Sequence, residues 1–473
     1  INFTGGTTAL AGISNVSTFT ADSDVSVTGN FTTNLDQTYN ADVTLTGDTV
    51  LTGNTGTFAT GLNGATHDLV LNFSGLTTIG GSSTFANIGD LTSPGPTALN
   101  GTVQTIGNQT YSGNVSLIGA TTLEGNTGTF SGAVQGGNSD LTLNFTAETT
   151  IDGAQTFGNV ANLTSLGDVR LNGTIQTNAA QNYAANVTLF GATTLDGTIG
   201  TLSGGVEGAD NDLTLNFTGG TTELDGSFAN LANLTSLGDV SLNSDITTSG
   251  SQNYAANVSL AGDTNLAGTT GTFAQGITGN NNSLLLNFSQ PTALGGLFSN
   301  LADFTSLGDV TVNGTISTNV DQNYAANVTL TGDGTFTGNA ASFNGAVVGG
   351  NHDLTINFTG GSTTLDGLFT NVATLNALSA VDIGANIQTN ADQNYGSTVN
   401  LTADVTLSGN AGSFSGLISG NNNDLTLNFT GGQTTINAAY FSNFSSPIRN
   451  LTSLGPVELV ATSLTPALTT AGQ

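Results

Sequence analysis

The chain has 473 residues, of which 32 are acidic and only Arg170 and Arg449 are basic, giving a formal charge of −30. It cannot neutralise phosphates and has little to draw it to anionic lipid, so nucleic-acid binding and electrostatic membrane attachment are excluded. It has no Cys, Met or Trp, which leaves it without disulfides or oxidisable sulfur.

In chain order, the first element is Ile1-Asn2-Phe3, the end of a phrase that recurs about every 71 residues. The full phrase, Asp-Leu-Thr-Leu-Asn-Phe or a close variant, ends at Phe73, Phe145, Phe217, Phe288, Phe358 and Phe429. A second marker, Tyr followed by Val-x-Leu, stands at Tyr39, Tyr111, Tyr183, Tyr254, Tyr324 and Tyr395. Two markers with one spacing make a repeat array, expected as one elongated domain over 1–473. The units run 1–24, 25–96, 97–167, 168–238, 239–308, 309–380 and 381–455, with a partial unit at 456–473. Both ends cut through a unit, so the chain reads as a piece of a longer polypeptide.

The copy at 168–238 shows the elements of a unit. Asp168-Val-Arg-Leu-Asn-Gly173, Asn186-Val-Thr-Leu-Phe-Gly191 and Asp212-Leu-Thr-Leu-Asn-Phe217 alternate apolar and polar residues, as half-buried strands do. Gly, Asn and Asp cluster between them, as turns require. No helical period appears. The pattern predicts an all-β chain: a right-handed parallel β-helix, or β-solenoid, of about 20 coils with about three coils per unit. At ~4.8 Å per coil the rod is expected to be on the order of 100 Å long.

Aromatic columns fill the predicted core. Phe73, Phe145, Phe217, Phe288, Phe358 and Phe429 form one, and Phe85, Phe157, Phe228, Phe298, Phe369 and Phe441 a second. Phe58, Phe130, Phe273, Phe343 and Phe414 form a third, with Leu202 in the third copy. The last unit departs from the pattern, with about four extra residues around Ser446-Pro447-Ile448-Arg449.

Chemistry is sparse. His67 and His352 stand where other copies have Ser139, Asn211, Asn282 and Asn423, so they read as turn residues. With two His and no Cys or Lys, no nucleophilic triad, zinc site or Schiff base can be assembled. The recurrent acids Asp68, Asp140, Asp212, Asp353 and Asp424, and Asp168, Asp239 and Asp309, fit turn chemistry. At three coils, or ~14 Å, apart, equivalent acids are too distant to act as a pair. Asp140, Asp212, Asp353 and Asp424 are the surface calcium candidates, because Gly136-Gly-Asn-Ser-Asp140 and Gly349-Gly-Asn-His-Asp353 resemble calcium-binding nonapeptides. No cofactor is otherwise expected. Asn-x-Ser/Thr sequences such as Asn15-Val-Ser, Asn162-Leu-Thr and Asn216-Phe-Thr are abundant, as an Asn/Thr-rich chain produces by chance. The aromatic girdles of a membrane barrel are missing, and no membrane insertion is expected.

The string Ile246-Thr-Thr-Ser-Gly-Ser-Gln-Asn-Tyr-Ala-Ala-Asn-Val-Ser-Leu-Ala-Gly-Asp-Thr-Asn-Leu266 resembles repeats of filamentous-haemagglutinin-like adhesins. Related autotransporter and two-partner-secreted exoproteins of bacteria carry similar repeats, and the likeness extends over the whole chain. It implies a right-handed parallel β-helix, export to the cell surface, and adhesion or fibre formation. It supplies no catalytic residues. The sequence therefore predicts a non-enzymatic, extracellular shaft that self-associates head to tail and meets neighbouring cells, glycans or surfaces. The alternatives are a carbohydrate-active or glycan-binding β-helix, and an ice-binding solenoid built on outward Thr columns such as Thr142, Thr214, Thr355 and Thr426.

Overall fold

The computed structural model describes residues 2–3, 6–80, 84–437 and 446–460, with 2–3 and 153–155 described by backbone only. Phe441 and residues 461–473 lie outside the described residues. The chain falls into two compact units, 1–250 and 251–473. Each is a parallel β-solenoid without a helix among its described residues, and together they count about 22 turns.

One copy in the first unit shows the construction. Its strands are Gln109–Tyr111, Val115–Gly125, Gly128–Phe130, Val134–Phe145, Thr149–Ser165 and Val169–Thr177. The longer strands shift register at corners, so they divide into short straight segments. Segments begin at Gln109, Val115, Thr121, Gly128, Val134, Leu141, Thr149, Phe157, Leu163, Val169 and Ile175, and the next copy begins at Gln181. Three segments close one coil: Gln109 pairs with Gly128, Gly128 with Thr149, and Thr149 with Val169, always parallel. Eleven segments are three and two-thirds coils, so the expected three coils per copy undercounts the unit. Coils vary in length, from 17 residues between Val160 and Thr177 to 26 between Leu425 and Leu451.

The fractional count has a consequence. A residue found once per copy returns one face round from its predecessor. Gln37 shares a face with Gly56, Thr77, Thr97 and Val115. Gln109 lies on a second face, with Gly128 and Thr149, and Gln181 on a third, with Leu163 and Gly200. In the second unit Gln322 lies above Phe304 and Gln393 above Leu375, again on different faces.

The core is built from the inward residue of each alternation. All described members of the three Phe columns are buried, as is Leu202. Each buried Phe contributes on the order of 1.5–3 kcal/mol. Tyr39, Tyr254, Tyr324 and Tyr395 stack on Phe58, Phe273, Phe343 and Phe414 in the next coil, with centroids 4.8–5.1 Å apart. The ring of Phe145 lies over Gly128, where a Cβ would come within 2.5 Å of it. One corner per copy is turned by Asn in the left-handed region, at Asn87, Asn159, Asn230, Asn300 and Asn371 (φ 53–56°).

Candidate functional site

The acids are the only abundant reactive groups, and the structure uses them coil to coil. Asp168 Oδ1 accepts the backbone N–H of Asn186 (3.0 Å), and Asn186 Oδ1 accepts that of Gly205 (3.2 Å). Asp309 and Asn327 repeat the pattern with Asn327 and Ala346 (both 2.9 Å). Asp48, Asp68 and Asp90 make a run of three, accepting in turn the backbone N–H of Asp68, Asp90 and Asn108. The backbone amide that these acids cap lies 18 to 22 residues on, at the equivalent corner of the next coil. Asp and Asn exchange freely here because only an acceptor oxygen is needed.

The four calcium candidates belong to this corner ladder. Asp140 accepts from the Asn162 backbone and side-chain amides (3.1 and 2.8 Å), and Asp212 from Asn233 Nδ2 (2.8 Å). Asp353 accepts from Thr374 N–H (3.0 Å). Asp424 accepts from Arg449 Nε (2.8 Å) and Asn450 Nδ2 (2.7 Å). The Arg449 hydrogen bond holds the Asp424 carboxyl below the usual carboxylate range. Arg449 also reaches Asp404 (2.8 Å), so the extra residues of the last copy bring a guanidinium onto two ladder acids. Equivalent candidates stand on successive faces, and among the described residues no three His, Asp or Glu side chains converge.

The glycine-rich phrases are turns. In Gly349-Gly-Asn-His352, Gly350 and Asn351 both have positive φ (58° and 64°), and His352 N–H returns to the Gly349 carbonyl (2.9 Å). That is a type I′ turn, and His67 holds the same place after Ala65 and Thr66 (φ 46° and 75°). The turns are tied across two coils: Asn178 Nδ2 donates to Asn138 (2.9 Å), Asn319 to Asn281 (3.0 Å) and Asn390 to Asn351 (2.8 Å). At the equivalent corner of the third copy the shorter Ser249 donates to Asp210 (3.0 Å), which leaves a shallow cleft of about 410 Å³. Glu207 lies in the same cleft and accepts from Asn230 Nδ2 (2.9 and 3.1 Å) and from the Ala209 backbone N–H (3.4 Å). Both carboxylates are thus tied to the corner. Arg170 packs over Phe190 (4.8 Å) beside Glu148 (3.6 Å) on an outer face.

Sequence reasoning missed the most demanding polar group. In every copy a buried Gln stands two residues before the marker Tyr. Gln322 Nε2 donates to the Ile316 carbonyl (3.0 Å) and to the Thr337 carbonyl of the next coil (2.9 Å), while its Oε1 accepts from Tyr324 Oη (2.8 Å). Gln37, Gln109, Gln181 and Gln393 make the same three bonds. Burial raises every one of these tyrosine hydroxyls far above its ordinary range. The invariant Gln-x-Tyr spacing was the available signal.

The outward Thr columns are more regular than the unlike phrases suggest. Thr174, Thr194, Thr214 and Thr235 stack in register over four successive coils, as do Thr102, Thr122, Thr142 and Thr164 on another face. Each run then moves one face round with the next copy. No protein-family model matches the chain, and no curated protein or solved structure matches it.

Proposed function

We propose that the chain is the shaft of an extracellular surface fibre or adhesin. The observation that supports this is the use made of its polar residues: side chains that could serve chemistry bind the next coil instead. Gln-Tyr pairs lock coils from inside and Asp/Asn ladders lock corners from outside. Such a molecule resists bending and proteolysis and holds something else at a distance. Open coils present unpaired parallel strand edges, and head-to-tail association would satisfy them. Lateral association is opposed by the −30 charge and rises as salt screens it. No cofactor is needed for this role.

The resemblance to filamentous-haemagglutinin-like repeats gives the reading its cellular setting. The test is immunogold labelling of intact source cells, followed by electron cryomicroscopy of the labelled material. Surface fibres containing the chain, with a ~4.8 Å axial repeat, are the expected result. Labelling confined to the cell interior would overturn the proposal.

A further inference from the structure

We infer that the strand-end Asn of the Asn-Phe phrase is an N-glycosylation site, presented once per copy. The phrase is followed by Ser or Thr in all seven copies: Asn2-Phe-Thr, Asn72-Phe-Ser, Asn144-Phe-Thr, Asn216-Phe-Thr, Asn287-Phe-Ser, Asn357-Phe-Thr and Asn428-Phe-Thr. Each is an acceptor sequence for glycan transfer to Asn. In an Asn/Thr-rich repeat such sequences also arise by chance, so the structure has to separate a used site from an accident.

Three observations do so. First, this Asn is never exchanged, whereas Asn at other acceptor sequences is. Asn162 of Asn-Leu-Thr is replaced by Asp90, Asp303 and Thr374 in other copies, and Asn186 of Asn-Val-Thr by Asp42 and Thr398. The Asn and Asp residues at those positions serve the corner ladder as acceptors, where either works equally well. Second, the constant amide has no constant partner inside the protein. The residue paired with it in the preceding coil is Thr52, Glu124, Asp196, Ala267, Thr337 or Ser408. Only Asn144 and Asn216 donate to that neighbour, at 3.5 and 2.9 Å. The side chains of Asn72, Asn287, Asn357 and Asn428 make no hydrogen bond within the described chain. Third, the hydroxyl two residues on is retained while its identity changes between Ser and Thr. It is exposed at Ser74, Thr146, Thr218, Ser289, Thr359 and Thr430. Packing explains the intervening Phe but not the amide, and the hydroxyl makes only a long bond to a carbonyl of the preceding coil at Ser74 and Thr146 (both 3.4 Å), with none at the other four among the described residues.

The transfer is a substitution at the anomeric carbon of an activated sugar. A separate transferase supplies the donor, a nucleotide- or lipid-diphosphate-linked sugar. The C1–O bond to phosphate breaks with its electron pair leaving on oxygen, the Asn Nδ2–C1 bond forms, and one amide proton passes to base. No electron transfer is involved. Because the Phe beside each acceptor is buried, the enzyme meets this sequence on the chain before it coils. Successive copies then carry their glycans on successive faces, so the sugar winds around the solenoid.

The test is glycopeptide mass spectrometry of the chain purified from its native source, digested at acidic residues because only two basic ones exist. Occupied Asn72, Asn287, Asn357 and Asn428, with Asn162 and Asn186 bare, is the expected result. Unmodified Asn-Phe peptides would overturn the inference, and so would equal occupancy of every acceptor sequence. In the native host, Thr359→Val and Asn357→Asp should each remove the glycan at that copy alone, and a glycan persisting at Asn357 in Thr359→Val would also overturn it. Both positions lie on the outer surface, so neither change threatens the coil.

Discussion

The inside and the outside of each coil solve the same problem with different chemistry. Inside, a fully buried Gln in each copy binds carbonyl and Tyr hydroxyl groups, and no substitute for it appears in any copy. Outside, Asp, Asn and Thr replace one another at corners wet enough for water to stand in for a lost partner. A polar group is held to one identity where nothing else can satisfy its neighbours, and drifts where solvent can.

The largest effect should follow from breaking the inner arrangement. Gln322→Ala leaves the Tyr324 hydroxyl and the Ile316 and Thr337 carbonyls without their buried partner, at a cost of roughly 3–6 kcal/mol. Denaturant unfolding of the variant, with hydrogen exchange to localise the loss, measures it. Adding Tyr324→Phe removes one orphan and should recover about 1 kcal/mol. No recovery would mean that the two side chains are not coupled.

Alkali tests the same groups without mutation. Each buried tyrosine has its folded value raised, so its contribution is whole below the unfolded pKa of about 10 and is lost as pH rises above it. At pH 11 each costs about 1.4 kcal/mol, and the three in residues 1–250 together cost about 4 kcal/mol if that unit unfolds as one. Phenolate absorbance should therefore appear together with loss of β-structure. Tyr440 is the one tyrosine outside these pairs, so more than one phenolate forming in a folded chain would refute the buried pairing.

A smaller gain is expected where the interior contains a polar group it does not use. The hydroxyls of Thr77, Thr149, Thr363 and Thr434 occupy one repeat position, are buried, and have no partner among the described residues. Thr363→Val keeps the shape and removes the orphan, so stability should rise by about 1 kcal/mol in a denaturant melt. A loss would show that the hydroxyl is hydrogen-bonded to water.

The sequence made the period, the inward Phe columns and the parallel coil legible, because alternation and recurrence are local signals. The coil count was less legible. Segments at Gly200 and Val206 are only a few residues long and rich in Gly, so the 26-residue step from Asn186 to Asp212 looked like one coil. In the structure Val187 pairs with Val206, and Leu213 pairs with Thr193. Gln was overlooked because alternation treats an inward polar residue as noise. The acid ladder left no local trace, since each acid and the amide it receives are a whole coil apart in sequence.

The outer ladder supplies the smallest prediction, and its sign is informative. Asp48, Asp68 and Asp90 stack at one corner, each about one coil spacing from the next. As acceptors they help, but three like charges in a column repel. Asp68→Asn keeps the Oδ1 that receives the Asp90 amide and removes the middle charge. Stability should rise by a few tenths of a kcal/mol at low salt, and the gain should vanish as salt screens the column. Asp309→Ala should instead cost about 0.5–1 kcal/mol at any salt, because it removes the oxygen that receives the Asn327 amide. If Asp68→Asn destabilises by as much as Asp309→Ala, the charge itself is part of the corner bond and the exchange of Asp for Asn between copies is not neutral. If it stabilises as expected, the outer acids are kept for a property of the whole surface, such as the mutual repulsion that keeps shafts apart.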